Sequence, residues 1–229
     1  MRSEIAPIIK SGLEESAQVK LAMAKNMLGE IERMVTFVLA AYRAGGKVVV
    51  FGNGGSAADA QHLVGELVGR FKLERPALPA IALSTNTSIL TAIANDYGYD
   101  VVFSRQIEAL VTEKDVVIGI STSGRSPNVI EAIKAAKKKG AKTIVLTGGK
   151  GGKLAPIKSG ADLVLAVPSG NFSRVQEAHT TITGCLKSSC PRASGVCIKT
   201  FWGSFTCPAL KLLSGPACSV GLGLHSHPG

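Results

Sequence analysis

Through its first 184 residues the sequence has no cysteine and no tryptophan, and after Glu177 it has no acidic residue. All five cysteines (Cys185, Cys190, Cys197, Cys207 and Cys218) and the single tryptophan, Trp202, fall in the last 45 residues. The cysteine spacings contain no C-x2-C pair, which removes the usual thiolate metal motif and leaves free thiols as the expectation. Long apolar runs are missing too. The longest, such as Val48–Phe51 and Val116–Ile120, have strand length, far short of the ~18–20 residues that span a membrane. The N-terminus, Met1-Arg2-Ser3-Glu4-Ile5, lacks the charged-then-apolar layout of a secretion signal, so a soluble cytoplasmic protein is expected. Aromatic residues make up 5% of the chain and no stripe interleaves them with bases, so nucleic acid is not an expected partner. The formal charge of +10 suits an anionic small substrate.

What is present is a globular composition, 45% hydrophobic over 229 residues with slightly positive mean hydropathy, enough for one generous domain. The charge is uneven. Residues 1–184 carry 22 Lys/Arg against 16 Asp/Glu, while the last 45 residues carry four bases and no acid.

The first 45 or so residues read as helix. Leu21, Met27, Leu28, Ile31, Met34, Val35, Val38 and Ala41 approximate a 3.6-residue repeat that Gly45-Gly46 stops, and Ser11-Gly12 predicts an early break into two helices. Strands and helices then alternate. Strands are expected at Lys47–Phe51, Pro79–Leu83, Asp115–Ile120, Lys142–Thr147 and Asp162–Val167. Helices are expected at Ala57–Gly69, near Ser88–Asn95, at Val101–Val111, Pro127–Lys139 and Gly151–Ile157, and from about Ser173. Five buried-looking strands separated by helices predict an α/β fold, a three-layer α/β/α sandwich on a five-stranded parallel sheet. Ligands should sit at the carboxyl ends of its strands.

Two loops at such ends are suited to a phosphate or a sugar. In Gly52-Asn53-Gly54-Gly55-Ser56 the glycines allow close backbone approach, and Ser56 can cap a helix whose N-terminus favours an anion. A plain strand-to-helix turn is the alternative. In "GISTSGRSPNVIEAI" (Gly119–Ile133), Ser121, Thr122, Ser123 and Ser126 set four hydroxyls around Gly124, with Ser126 at the N-cap and Pro127 at the first helical position. Capping by Ser126 alone is the alternative there.

His62 and Glu66 are four apart and share a helix face, a spacing that suits two ligands of one metal, a base and its partner, or an ordinary surface pair. Gln176 and His179, three apart, share a face of the last helix, where Glu177 also favours the dipole. Asn95-Asp96 fits either a helix-ending turn or a sugar contact.

Together "FGNGGSAADAQHLVGELVGRF", "ERPALPAIALSTNTSILTAIANDYG", "ISTSGRSPNVIEAI" and "RVQEAH" resemble the sugar-isomerase (SIS) domain family, and within it the phosphoheptose isomerases, over residues 1 to about 182. The resemblance implies an aldose–ketose isomerase that converts sedoheptulose 7-phosphate to D-glycero-D-manno-heptose 7-phosphate through an enediol, in heptose precursor biosynthesis for lipopolysaccharide. It implies that Asn53, Gly54 and Gly55 contact the sugar, that Ser121, Thr122, Ser123 and Ser126 hold the phosphate, and that Asn95 and Asp96 line the substrate. His62, Glu66 and Gln176 become three of four zinc ligands, with Glu66 also the catalytic base. A homotetramer bundled through the N-terminal helices is implied, with active sites between subunits. A non-catalytic SIS module binding a phosphosugar or a replication initiator is the alternative.

The sequence then departs from that pattern. The resemblance places the fourth zinc ligand, a His, eight residues after Gln176, where this chain has Gly184. Beyond it comes Cys185-Leu186-Lys187-Ser188-Ser189-Cys190-Pro191, and Pro191 predicts the end of the helix. The expected organisation is a SIS domain over 1–184 and an atypical tail over 185–229, without order beyond about residue 190. A change of reading frame near codon 183 accounts for the lost acids, the cysteines and the lost periodicity. An appended natural segment, or a segment adding His225 and His227 as metal ligands, are the other readings.

Overall fold

Five short runs rich in Val, Ile and Leu form the strands β1 (Val48–Gly52), β2 (Ala80–Ala82), β3 (Val116–Ile120), β4 (Lys142–Gly148) and β5 (Leu163–Val167). The structure, a computed structural model, describes residues 2–72, 74–149 and 160–193. Strands β1 and β3 are buried at every position, which is why they carry unbroken apolar runs rather than an alternation. The sheet is wholly parallel in the order β2-β1-β3-β4-β5, with Val50 beside Ala82 and Ile118, and Leu146 beside Ile120 and Leu165. After β2 the chain crosses to the other side of β1, so the switch point lies between the carboxyl ends of β1 and β3.

The helices are α1 (Arg2–Asn26), α2 (Leu28–Arg43), α3 (Gly55–Val68), α4 (Thr87–Tyr97), α5 (Ser104–Leu110), α6 (Pro127–Lys138) and α7 (Phe172–Ala193), with one 3-10 turn at Tyr99–Val101. Helices α1, α2, α3 and α7 cover one face of the sheet, meeting Val48, Val50, Ile118, Ile120 and Leu146. Helices α4, α5 and α6 cover the other, meeting Val49, Phe51, Val117 and Val145. The three-layer expectation is met.

Several expectations shift. Helix α1 runs straight through Ser11-Gly12, and the break comes at Met27, the one residue between α1 and α2. A helical glycine costs only about 1 kcal/mol, and the Gly12 carbonyl is held by Arg174 Nη1 at 2.9 Å. The apolar stripe expected to form an oligomer bundle belongs mostly to this chain's own core, where Met27, Met34, Val35, Val38 and Ala41 are buried. Leu21 and Leu28 stay exposed, as do Ile5, Ile8, Ile9 and Leu13. The last helix crosses the 184–185 boundary and continues to Ala193 with Pro191 in its final turn, where the missing N–H removes a single bond, the one to the carbonyl of Lys187. The apolar step persists as far as Leu186. Val175, Ala178, Ile182 and Leu186 form one continuous buried stripe. Cys185 is a free, exposed thiol. The expected helix at Gly151–Ile157, the remaining tail cysteines, Trp202, His225, His227 and the fate of the chain after 193 lie outside the described residues. The chain divides into units Met1–Val196 and Cys197–Gly229, the second wholly among those. Among the described residues no helix is long and apolar enough to cross a membrane.

The amino ends of the strands are fastened by two carboxylates. Asp115 accepts from the backbone N–H of Lys47 and of Thr112, each at 2.8 Å, and pairs with Lys47 Nζ at 2.8 Å. Asp162 does the same for β4, accepting from Thr143 N at 2.9 Å and Thr143 Oγ1 at 2.8 Å. Burial opposes the charge on Asp115, but the bonds from Lys47 and Thr112 outweigh it and hold the carboxyl below its ordinary 3.8. A lowered carboxyl pKa stabilises the fold fully above 3.8, and that stabilisation disappears as pH falls through the folded-state value. Asp115→Ala should therefore destabilise the protein by about 3 kcal/mol near neutral pH. Acid unfolding followed by circular dichroism should show the two proteins converging below pH 3.8. A constant gap at all pH values would contradict this account.

Candidate active site

Strand β1 ends in Gly52 and passes into a turn that only glycine makes comfortably, with Gly54 at φ 53°. Strand β3 ends at the second loop, where Gly124 sits at φ 62°. The two loops flank the switch point and are tied to each other. Asn53 Nδ2 donates to Asn128 Oδ1 and Asn128 Nδ2 donates to Asn53 Oδ1, both at 2.9 Å. Asn128 is buried, and Val129 N–H also donates to its carbonyl oxygen at 3.0 Å. This clasp fixes the first turn of α6 against the glycine loop.

Ser126 stands at the N-cap of α6 with Pro127 next, as expected, but its hydroxyl makes no capping bond. It pairs with Ser121 Oγ at 2.9 Å instead. Ser123 Oγ accepts from Arg125 N–H at 3.2 Å, and the Thr122 carbonyl accepts from Gly148 N–H at 3.1 Å. Three of the four hydroxyls, those of Ser121, Ser123 and Ser126, are thus engaged within the turn itself. Beside them a cleft of about 330 Å³ opens between Thr122, Ser123, Arg125, Gly149, Ser169 and Phe172. Hydroxyls, a helix N-terminus and one guanidinium are the donors an anionic phosphate needs.

Ser56 is not a cap either. Gly54 takes that position, and Ser56 Oγ donates to Gln176 Oε1 at 3.3 Å from within the first turn of α3. Gln176 Nε2 in turn donates to Asp59 Oδ2, and Thr180 Oγ1 donates to Asp59 Oδ1 at 3.0 Å. Further along α3, His62 Nε2 lies 3.5 Å from Glu66 Oε1 and 3.2 Å from Lys187 Nζ. Helices α3 and α7 therefore meet along a polar seam of Ser56, Asp59, His62 and Glu66 against Gln176, Thr180 and Lys187. Lys187 is only 4% exposed. Burial pulls its pKa down, against the opposing pull of Glu66 and Asp59.

The other faces of α7 hold it in place. Glu177 is bonded to Ser16 Oγ at 2.6 Å and to Arg174 at 2.8 Å, fastening α7 to α1. His179 departs from the shared face expected with Gln176. It turns to the sheet, fully buried, where its Nε2–H donates to the Thr147 carbonyl at 3.2 Å and burial lowers its pKa. Asn95 and Asp96 lie exposed at the end of α4, where Asn95 Nδ2 donates to Asp96 Oδ1 at 2.9 Å and no hydrogen bond links either to the seam.

The structure thus brings His62, Glu66 and Gln176 to one seam and Asn53 to the hydroxyl loop, and leaves Asn95 and Asp96 apart. Sequence reasoning missed Asp59, Asn128 and Lys187. Asp59 had a signal, since positions 59, 62 and 66 lie at i, i+3 and i+7 of one helix face. Asn128 had none, because its partner is 75 residues away.

The SIS domain family matches residues 13–148. The phosphoheptose isomerase of Geobacter sp. strain M21 is 58% identical over 174 residues, covering 76% of this chain and 89% of that relative. That of Aquifex aeolicus strain VF5 is 52% identical over 174 residues, covering 76% and 90%. Among solved structures, the phosphoheptose isomerases of Neisseria gonorrhoeae and Francisella tularensis superpose with TM-scores of 0.77 and 0.78 at 40% and 38% identity. Each aligns with 82% of this chain, covering 99% and 98% of its own length. The fold, the loops at its switch point and this degree of identity agree, and the chain belongs to the phosphoheptose isomerases of the SIS-domain family.

Proposed function

We propose that the chain interconverts sedoheptulose 7-phosphate and D-glycero-D-manno-heptose 7-phosphate at the α3–α7 seam and the hydroxyl loop. The observation that supports this is the clasp of Asn53 and Asn128, which sets the hydroxyl loop against the glycine loop that opens α3, the helix on which Ser56 and Asp59 meet Gln176 and Glu66 follows. Ser121, Thr122, Ser123 and Ser126 hold the phosphate. Asn53, Gly54, Gly55 and Gln176 face the sugar. Glu66 takes a proton from carbon 1 of the ketose to give an enediol, then returns it to carbon 2, while a hydroxyl proton passes from oxygen 1 to oxygen 2. The non-catalytic binding module is disfavoured by the relatives at 58% and 52% identity, which are isomerases by name.

The zinc ion implied by the resemblance would draw on His62, Glu66 and Gln176, and would act as a Lewis acid on the substrate oxygens. The residues as arranged do not fit it. Gln176 is engaged by Ser56 and Asp59, His62 Nε2 faces an ammonium, and position 184 carries no donor. Among the described residues no three His, Cys, Asp or Glu side chains are grouped to hold a metal ion.

The homotetramer is part of the proposal, supported by the exposed stripe of Ile5, Ile9 and Leu13 along α1, with Ile8 beside it. In that assembly Asn95 and Asp96 would reach substrate from a neighbouring copy. The cytoplasm and heptose precursor biosynthesis go with this reading.

The test is to incubate the chain with sedoheptulose 7-phosphate in D2O and follow the products by NMR. Aldoheptose 7-phosphate with deuterium at carbon 2 is expected. If neither this chain nor its Gly184→His variant converts the ketose, the substrate assignment is wrong.

A further inference from the structure

We infer that Lys187 is a tethered cation that occupies the place of a divalent metal between α3 and α7, so that this chain keeps positive charge in its site without retaining zinc. Two contacts argue for this. Its Nζ lies 3.2 Å from His62 Nε2, the same nitrogen that Glu66 Oε1 faces at 3.5 Å, and an ammonium can only donate there. The Phe71 ring closes the remaining side, its centroid 5.4 Å from the ammonium, within cation–π range. Phe71 holds that position at φ 51°, the sole non-glycine residue at positive φ among the described residues, a costly conformation for an aromatic side chain.

The helix period explains why a lysine is available. Thr180 faces Asp59 and Lys187 faces His62, so Gly184, four residues after one and three before the other, lies on the same face of α7. With no side chain at 184, the seam has a gap in its donors, and Lys187 reaches across it from one turn further on. A Cβ at Gly184 would meet nothing within 4 Å, so the gap is open to a larger residue.

This inference deepens the proposed site and rests on that reading for the seam's role. Metal binding is read without substrate, so the two can fail separately. The experiment is calorimetric titration of zinc at neutral pH into the EDTA-dialysed full chain. The signal assigned to the seam is the part lost in His62→Ala, which subtracts binding at the cysteines. The unaltered chain should show no seam signal. Lys187→Met should create one, tightened at least about ten-fold further by Gly184→His in the same chain, whereas Lys187→Arg should leave the seam without zinc. A one-equivalent, His62-dependent zinc site in the unaltered chain overturns the inference whatever the variants do. So does a Lys187→Met protein with unchanged melting behaviour and no seam signal even when Gly184→His is added.

Discussion

Glu66→Gln should lower the turnover number for ketose isomerisation by about 100- to 10,000-fold, the usual contribution of a positioned general base. The amide keeps the side chain's size and its place one turn beyond His62, so the fold has little reason to change. What it removes is a carboxylate able to accept a proton. Sugar phosphate affinity should stay within a few fold, because the proposed function assigns the phosphate to Ser121–Ser126 and the sugar to the glycine loop and Gln176. The loss should therefore fall on kcat rather than KM. The product formed in D2O gives a second readout: whatever turnover survives should incorporate deuterium more slowly by the same factor. A Glu66→Gln enzyme with near-normal kcat would move the base elsewhere on the seam, and Asp59 would be the next carboxylate to replace.

The largest effect on stability is expected from Phe51→Ala. Phe51 is fully buried near the end of β1, stacked on Phe103 with ring centroids 5.1 Å apart. Its ring also fills the space over Gly119, where a Cβ would lie 3.3 Å from Phe51 Cε2. Strand β1 is paired on both edges, with β2 and β3, so the backbone cannot collapse into the space left by the ring. A loss of about 3–5 kcal/mol follows for an aromatic removed from such a place. At about 2–4 °C per kcal/mol for a chain of this size, the melting temperature should fall by about 6–20 °C. Calorimetry or thermal circular dichroism reads this directly, and a fall below about 3 °C would mean the site relaxes more freely than a doubly paired strand should allow. Asn53 lies two residues beyond Phe51, so the variant's isomerase activity should fail at a lower temperature as well.

Local chemistry was legible where it is carried by neighbours in the chain. The β3 strand, Ser126 and Pro127 announce a strand, an N-cap position and a helix start, and the structure has all three. His62 and Glu66 are set on one face by helix period alone. What could not be read depends on distant partners. The Ser126 hydroxyl turns to Ser121 rather than to its own helix. Asn128 matters because the sheet order puts the end of β3 beside the end of β1, and no local pattern encodes that order. Ser11-Gly12 looked like a break, yet tertiary support from Arg174 outweighs a weak local preference. After residue 184 the cysteines, serines and Pro191 change the composition, while Ile182 and Leu186 keep the four-residue step that carries a helix into the core.

Helix α7 shows three different faces to three neighbours: Val175, Ala178, Ile182 and Leu186 to the sheet side, Arg174 and Glu177 to α1, and Gln176, Thr180 and Lys187 to α3. Each added residue turns a helix by about 100°. The helix is therefore indexed like a keyed shaft, in which identity is negotiable along its length and count is not. Losing one residue between Arg174 and Gln176 would turn the amide, the hydroxyl and the ammonium away from α3 together, and would swing the core stripe off the sheet in the same motion.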